Sequence, residues 1–106
     1  MRNYEFFGAP HVVIITTDGR QGVYGAVDCG AYVANVLNAA TSLGLATIPQ
    51  AAIAMYSDYV REFLALPDDR LVVCAISFGY ADLDNPVNGF RTSRGDFHEA
   101  TTLVND

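Results

Sequence analysis

The sequence predicts an α+β fold. Two short apolar runs, at 11–17 and 71–78, are rich in β-branched residues, which is typical of buried strands. Between them lie a long helical pattern at 27–43, apolar on nearly all sides, and a shorter amphipathic one at 58–66. The order strand, helix, helix, strand predicts a single core over residues 1–79.

The first strand is predicted to end at a turn and to reach the long helix through a glycine-spaced connection. Asp18-Gly19 is a turn signal, and Gly22 and Gly25 follow at even spacing. A dinucleotide-binding fingerprint needs a close G-x-G pair, which this segment lacks. A flexible strand-to-helix connection is therefore favoured. A mononucleotide-binding fragment that uses these glycines ranks last among the functional hypotheses.

The long helix is predicted to be buried, either inside a domain or in a subunit interface. Its polar residues fall on one narrow stripe, formed by Asp28, Asn35, Asn38 and Ser42. Most other positions are Ala, Val, Leu or Tyr, and a helix apolar on so many sides is normally covered. Asp28 near the predicted start suits the helix dipole, and Gly44 predicts a C-terminal cap.

The second helix and second strand complete the predicted core. Ser57 is predicted to cap the helix, Pro67 to stop it, and the segment 67–69 to form a turn before the strand. Two strands do not make an independently stable sheet. The missing strands are therefore expected to come from elsewhere, with oligomerisation completing the fold.

Residues 80–106 are predicted to form an extended tail. The segment is rich in Asp, Asn, Gly and Arg and has few apolar residues, so it cannot build its own core. It is either loose or laid along another subunit. Arg91 and Arg94 lie close together in this tail and are compatible with a local anion site.

Composition excludes several classes of function. The net charge of −6 argues against nucleic acid as a partner, because such a surface repels phosphate backbones. No apolar run approaches the roughly 20 residues that cross a bilayer, and no signal segment opens the chain, so a cytoplasmic protein is expected. Cys29 and Cys74 are predicted to be buried, reduced thiols. No Cys/His cluster suggests zinc.

The chain also lacks motifs for side-chain catalysis. The polar stretch 82–86 does not match a calcium loop, because Pro86 occupies a ligand position and the closing glutamate is missing. Neither His11 nor His98 accompanies a recognisable nucleophile elbow. No catalytic side chain is predicted.

A flavin site remains compatible with the sequence because it needs few acid–base side chains. The cofactor carries the redox chemistry, and the protein supplies orientation, hydrogen bonds to the ring and a cationic contact for the phosphate. Composition alone favours ordinary loops for both segments of this chain that match these needs in type. They are the predicted turn at Pro49, Gln50, Ala51 and Ala52, and the pair Arg91 and Arg94.

An ordered series of short segments resembles the nitroreductase-type flavoproteins from residue 2 to about residue 99. Each segment is weak by itself, and the order and spacing are specific. The series comprises Asn3-Tyr4-Glu5-Phe6-Phe7-Gly8-Ala9-Pro10, Asp28-Cys29-Gly30 with Asn35, Ala39-Ala40, Leu43-Gly44-Leu45, Pro49-Gln50-Ala51, Val60-Arg61-Glu62-Phe63-Leu64, Pro67-Asp68-Asp69, Val72-Val73-Cys74, Phe78-Gly79-Tyr80-Ala81-Asp82, Pro86-Val87-Asn88 and Arg91-Thr92-Ser93-Arg94.

This resemblance implies a partial nitroreductase-like fold, with a mixed sheet and an intertwined homodimer or higher homo-oligomer. It implies that the helix at 27–43 is the central dimer helix and that the tail wraps the partner subunit. It also implies FMN as cofactor, NAD(P)H as electron donor and a small aromatic acceptor such as a nitroaromatic or quinone. By the same resemblance, the turn from Pro49 to Ala52 offers backbone groups to the isoalloxazine ring, and Arg91 and Arg94 hold the phosphate.

Members of that family are about twice as long, and the absent half comes first. The sequence is therefore interpreted as truncated, with part of the FMN contacts missing. One functional hypothesis is an FMN-dependent NAD(P)H oxidoreductase, incomplete as a single chain. The alternative is a non-catalytic dimerisation or binding module derived from a truncated nitroreductase.

Overall fold

The computed structural model describes residues 2–104, so the first residue of the predicted core and the last two of the predicted tail lie outside it. Three strands and two main helices form the body, and short 3-10 segments join them. The elements are β1 (His11–Asp18), α1 (Gly22–Ser42), β2 (Ala46–Gln50), α2 (Ser57–Phe63), β3 (Arg70–Gly79) and α3 (Phe97–Ala100), with 3-10 segments at Arg2–Gly8, Gly19–Gln21, Ala52–Tyr56 and Pro86–Gly89.

The sheet has three strands in the order β1-β3-β2, and both pairings are antiparallel. This confirms the α+β class but differs from the predicted mixed sheet among residues 2–104. The sequence prediction missed β2, because a proline interrupts a short and partly polar segment. Pro49 lies opposite Ile76 on a strand that is paired on one side, where a missing N–H is tolerated.

Helix α1 begins at Gly22, five residues before the predicted start. Gly25 is inside the helix and packs closely on β1, where a Cβ atom would overlap the Thr17 hydroxyl. The glycines therefore serve close approach and the helix start rather than a flexible connection. Asp28 lies beyond the first turn, which contains no acidic residue, so its predicted place at the helix start is wrong.

The C-terminal end of α1 follows the prediction. Gly44 has a φ of 74°, a conformation that glycine adopts without strain. Its N–H donates to the Thr41 carbonyl at 3.0 Å, and the Leu45 N–H donates to the Ala40 carbonyl at 2.9 Å. These two bonds form a Schellman cap, which satisfies carbonyl groups left free at the end of the helix.

Helix α2 differs from the prediction at both ends. Ser57 is its first residue rather than its cap, because the 3-10 segment Ala52–Tyr56 runs directly into it. The helix ends at Phe63, where Ala65 takes a φ of 51° and the Leu66 N–H returns to the Arg61 carbonyl at 2.9 Å. The helix therefore ends before Pro67, and the proline is not the residue that stops it.

The turn before β3 is as predicted, and β3 itself carries a bulge. The Arg70 N–H donates to the Pro67 carbonyl at 3.0 Å. The register shifts between Ile15 and Thr16, and Val73 is the extra residue on β3. A bulge of this kind bends the strand and increases its twist.

Small apolar clusters cover the two faces of the sheet. On the α1 face, Ile15, Cys29 and Ile76 are buried, and Cys74 packs against them. The opposite face buries a second trio, formed by Ile53, Val72 and Ala75. The predicted buried position of Cys29 is confirmed, Cys74 is half-buried, and both thiols are free.

The tail gives the molecule an extended shape. The radius of gyration is 16.7 Å, whereas a compact domain of this length has about 13 Å. Residues 80–104 are exposed apart from the half-buried Asn85, and Tyr80 and Val104 are 87% and 85% exposed. The tail therefore builds no core of its own, and its contact with a partner stays a prediction. No helix within residues 2–104 combines the length and hydropathy that a bilayer crossing requires.

Candidate functional site

The predicted flavin turn begins at the end of β2. Pro49 and Gln50 belong to the strand, the chain bends at Ala51, and a 3-10 segment starts at Ala52. Pro49 and Ala51 are exposed, and Ala52 is half-buried. The first N–H groups of a helical segment have no partner inside it. The turn can therefore offer backbone donors to a planar ring that accepts hydrogen bonds.

Gln50 is the buried member of this turn. It is 5% exposed and lies opposite Ala75, which is fully buried in the central strand. Its Nε2 donates to the Oγ of Ser77, which is 1% exposed. Its Oε1 is also buried and has no hydrogen-bond partner among residues 2–104. Sequence patterns did not indicate this pair, because its two residues are 27 positions apart.

The arginine pair lies in the exposed tail. Arg91 Nη1 donates to the Asn88 and Phe90 carbonyls, both at 2.7 Å. Arg94 Nη1 donates to the Ser93 carbonyl at 3.2 Å and to the Thr92 hydroxyl. Neither arginine is among the salt bridges of the part of the chain that the structure describes. Both guanidinium charges are therefore available to an anion such as a phosphate.

The two predicted groups of cofactor-binding residues are formed by different parts of the chain. Pro49–Ala52 is formed by the sheet and the 3-10 segment that follows it, whereas Arg91 and Arg94 hydrogen-bond to residues of the tail. None of the hydrogen bonds described within residues 2–104 joins the two groups. Their union in one cofactor site stays a prediction.

Two cavities lie on the two faces of the sheet, and sequence analysis identified neither. One of about 660 Å³ lies between β1 and α1, where Thr17, Gln21 and Arg70 contribute polar groups. The other, of about 540 Å³, lies on the opposite face and is almost wholly apolar. Its lining is drawn from four separate segments, which explains why no local pattern reveals it. The lining residues are Tyr4, Phe6, Val12, Ile14, Ile53, Tyr56, Tyr59, Val60, Phe63 and Leu64.

The resolved shifts in pKa lie outside the predicted turn and arginine pair. Hydrogen bonds from Arg20 lower the pKa of Asp18 to about 2, and the same contact raises the pKa of Arg20. Burial raises the pKa of the Cys74 thiol, and the nearby Cys29 adds to this rise. In Tyr4, burial and then the neighbouring Tyr56 raise the pKa of the phenol. No cluster of three metal-binding side chains occurs within residues 2–104.

Comparison with known proteins identifies the family. Residues 1–80 match the model of the Nitroreductase family. The chain belongs to this family. Its nitroreductase relatives include 4-nitrobenzoate reductase of Nocardioides sp. (strain LMS-CY), which is 38% identical over 105 residues, covering 99% of this chain and 42% of that protein. Nitroreductase NfnB of Mycolicibacterium smegmatis is 38% identical over 96 residues, covering 91% and 41%.

Solved nitroreductase structures share the fold. FMN-dependent NfnB from Mycobacterium smegmatis, in complex with NADPH, has a TM-score of 0.89 at 36% identity, covering 98% of this chain and 46% of that one. FMN- and NADPH-dependent NfnB from sphigopyxis sp. strain HMH has a TM-score of 0.94 at 30% identity, covering 99% and 47%. The predicted resemblance and partial nitroreductase-like fold are thus confirmed. The chain spans about half the length of the relatives it matches.

Proposed function

We propose that this chain acts as part of an FMN-dependent NAD(P)H oxidoreductase that reduces nitroaromatic compounds, quinones or similar acceptors. The observation that carries the proposal is the fold match to FMN- and NADPH-dependent NfnB, with a TM-score of 0.94 over 99% of this chain. That match includes the tail as well as the sheet, so both segments with predicted cofactor contacts have counterparts in a flavoenzyme.

The residues present fit an FMN molecule chemically. The Pro49–Ala52 turn supplies backbone N–H groups for the ring, and Arg91 and Arg94 supply unneutralised guanidinium groups for the phosphate. When bound, FMN supplies the transfer of reducing equivalents between NAD(P)H and the acceptor. The chain's own contribution is to orient the ring and to hold the phosphate, so no acid–base side chain is needed in the turn.

A homodimer or higher homo-oligomer is part of the proposal. The outward side of α1 exposes large apolar side chains, including Val23, Tyr24 and Val27 at 77%, 81% and 61%. A group of large apolar side chains exposed in this way is typical of an interface. A second copy packed on this side would cover it, and the apolar residues of the tail would lie along that copy.

A cytoplasmic location is supported by the two cysteines. Both thiols are free, and reduced cysteines are the rule in the cytosol.

A non-catalytic dimerisation or binding module is the second candidate. The apolar outward side of α1 favours it, because this surface serves association whether or not a cofactor binds. The two candidates share the dimer and differ in flavin binding. They are therefore separated by one spectroscopic measurement.

The deciding experiment is an absorbance spectrum of the purified chain before and after addition of FMN. Flavin bands that remain after desalting, together with FMN release on denaturation, support the oxidoreductase. A colourless chain that ignores added FMN contradicts it, and a stable dimer under the same conditions then supports the binding module. A colourless monomer contradicts both candidates.

Substitution of Arg94 tests the phosphate contact. Arg94→Ala is expected to weaken FMN binding about tenfold or more, because a hydrogen bond to a charged group contributes roughly 1.5–3 kcal/mol. Arg20→Ala is the matched control, since Arg20 is also an exposed arginine but pairs with Asp18 outside the proposed site. Fluorescence titration measures the FMN affinity of both variants. Equal losses of affinity would show that FMN binding depends only on the net charge of the chain.

A further inference from the structure

A buried polar pair joins Gln50, the buried member of the turn that is proposed to face the flavin, to Ser77 of β3. Gln50 and Ser77 are 5% and 1% exposed, and Gln50 Nε2 donates to Ser77 Oγ. Buried polar groups in a folded protein are nearly always hydrogen-bonded, and those that are not call for a reason. Here one end of the Gln50 carboxamide is paired and the other end, Oε1, has no partner among residues 2–104.

The position of this pair follows from the sheet register. Gln50 is the last residue of β2 and lies opposite Ala75, whereas Ser77 lies opposite Ile48. Since alternate residues of a strand share a face, Gln50, Ala75 and Ser77 lie on one side of the sheet. The small Ala75 side chain leaves room for the Gln50 carboxamide to extend along the strand and reach the Ser77 hydroxyl.

The surrounding residues tie the pair to the turn. Ala75 belongs to the same buried cluster as Ile53. Ile53 is in the 3-10 segment that begins at Ala52, and within that segment the Ala54 N–H donates to the Ala51 carbonyl at 3.0 Å. The turn is therefore fixed on one side by the Gln50–Ser77 bond and on the other by the burial of Ile53.

We propose that Gln50 and Ser77 are positioning residues that hold the Ala51–Ala52 backbone in place for the flavin ring. The inference rests on the proposed function for its ligand, but the held turn is a property of the cofactor-free chain. An apolar residue at position 50 would pack against the neighbouring core and would leave no buried polar atom unpaired. The polar pair instead gives the turn one defined direction, because a hydrogen bond depends on angle as well as distance.

The first test uses amide hydrogen exchange in the chain without FMN. Ser77→Ala removes the hydroxyl and is expected to speed exchange of the Ala54 amide, which is hydrogen-bonded to the Ala51 carbonyl, about tenfold, with little change in β1. Ile76→Val is the matched control, because it alters an adjacent buried residue on the α1 face of the same strand. Equal exchange of the Ala54 amide in the two variants overturns the proposal.

The second test uses FMN affinity and the visible spectrum of the bound flavin. Ser77→Ala and Gln50→Leu are each expected to weaken FMN binding about tenfold and to shift the flavin band. The double variant is expected to lose little more than either single one, because both changes remove the same interaction. Additive losses overturn the pairing. If Ser77→Ala does not fold, both the exchange test and the FMN test are carried out with Gln50→Leu alone.

The two proposals fail in different ways. A wild-type chain that binds no FMN contradicts the proposed function, and the exchange experiment still decides whether the pair holds the turn. A chain that binds FMN equally well in all variants, with unchanged exchange of the Ala54 amide, contradicts the positioning role alone.

Discussion

The two sides of helix α1 both carry apolar residues but lie in opposite environments. Towards the sheet, Gly25 and Cys29 are buried against β1 and β3. On the outward side, Val23 and Tyr24 remain 77% and 81% exposed. The apolar pattern of the helix therefore predicts that both sides are covered, but residues 2–104 cover only one of them.

The difference teaches that hydrophobic periodicity identifies surfaces and does not identify their partners. The sheet side has a specific steric fit, since no Cβ is accommodated at Gly25. Gly30, on the same helix, faces open space, and a Cβ added there would meet nothing within 4 Å. Changes on the two sides should therefore act on different quantities, stability on one and association on the other.

The largest expected effect is on association. Val27→Asp places a charge on the exposed apolar side and is expected to weaken the proposed dimer about 100-fold or more, because burial of an unpaired charge is costly. Sedimentation velocity at several concentrations measures the change. Met55→Asp is the control, since it adds the same charge at an exposed site on the opposite face of the sheet from α1. A wild-type chain that is monomeric at micromolar concentration contradicts the prediction.

The next effect is on stability and compares two glycines of the same helix. Gly25→Ala is expected to destabilise the chain by about 1–3 kcal/mol, because its methyl group would overlap the Thr17 side chain. Gly30→Ala is expected to stabilise it by about 0.5–1 kcal/mol, since alanine favours the helix and the site is open.

Urea unfolding of both glycine variants gives the two free energies. Changes of opposite sign in the free energy of unfolding would support the different packing of the two sides of α1. Destabilisation by both changes would show instead that the outward side is as tightly packed in solution as the sheet side.

A smaller effect concerns thiol reactivity on the sheet side. Burial raises the pKa of Cys74, so less thiolate is present at neutral pH. Iodoacetamide is expected to modify Cys74 at least about tenfold more slowly in the native chain than in urea, with a rate that rises with pH. A cysteine introduced at Asp68, which is exposed in the turn before β3, is the control. Equal native rates at both positions would contradict the assignment of the sheet side as closed.

The smallest expected effect is the pH dependence of the connection between β1 and α1. Arg20 lowers the pKa of Asp18 from 3.8 to about 2, so the contact stabilises the folded state fully above pH 3.8. This contribution is lost as the pH falls through about 2. Asp18→Asn should therefore lower stability at pH 6 and approach the wild type near pH 2 in thermal unfolding. A difference that persists at low pH would assign the effect to shape rather than charge.

The sequence was sufficient to predict those elements of the fold that depend on local sequence patterns. The runs at 11–17 and 71–78 became β1 and β3 with small shifts at their ends, and Gly44 capped α1 as predicted. Strand β2 was missed because its partner, not its own composition, makes it a strand. Propensity carries little information for a five-residue edge segment that contains a proline.

The candidate site was less accessible to sequence analysis than the fold. The turn and the arginine pair were selected by family resemblance, since neither has a pattern that distinguishes it from a loop. The Gln50–Ser77 pair required the register between β2 and β3, which joins residues 27 positions apart. The placement of the tail was not predictable from local patterns, because residues 80–104 are almost wholly exposed and build no core of their own.

The strand order has a consequence for how the protein is made. The middle strand, β3, is the last of the three in sequence, and among residues 2–104 both β1 and β2 pair with it. During translation, neither outer strand can pair with β3 until residue 79 has left the ribosome. Pairings between residues that are distant in sequence form slowly. We therefore expect the apolar surface of α1 to be exposed in the nascent chain until β3 is made, and chaperones to bind it there.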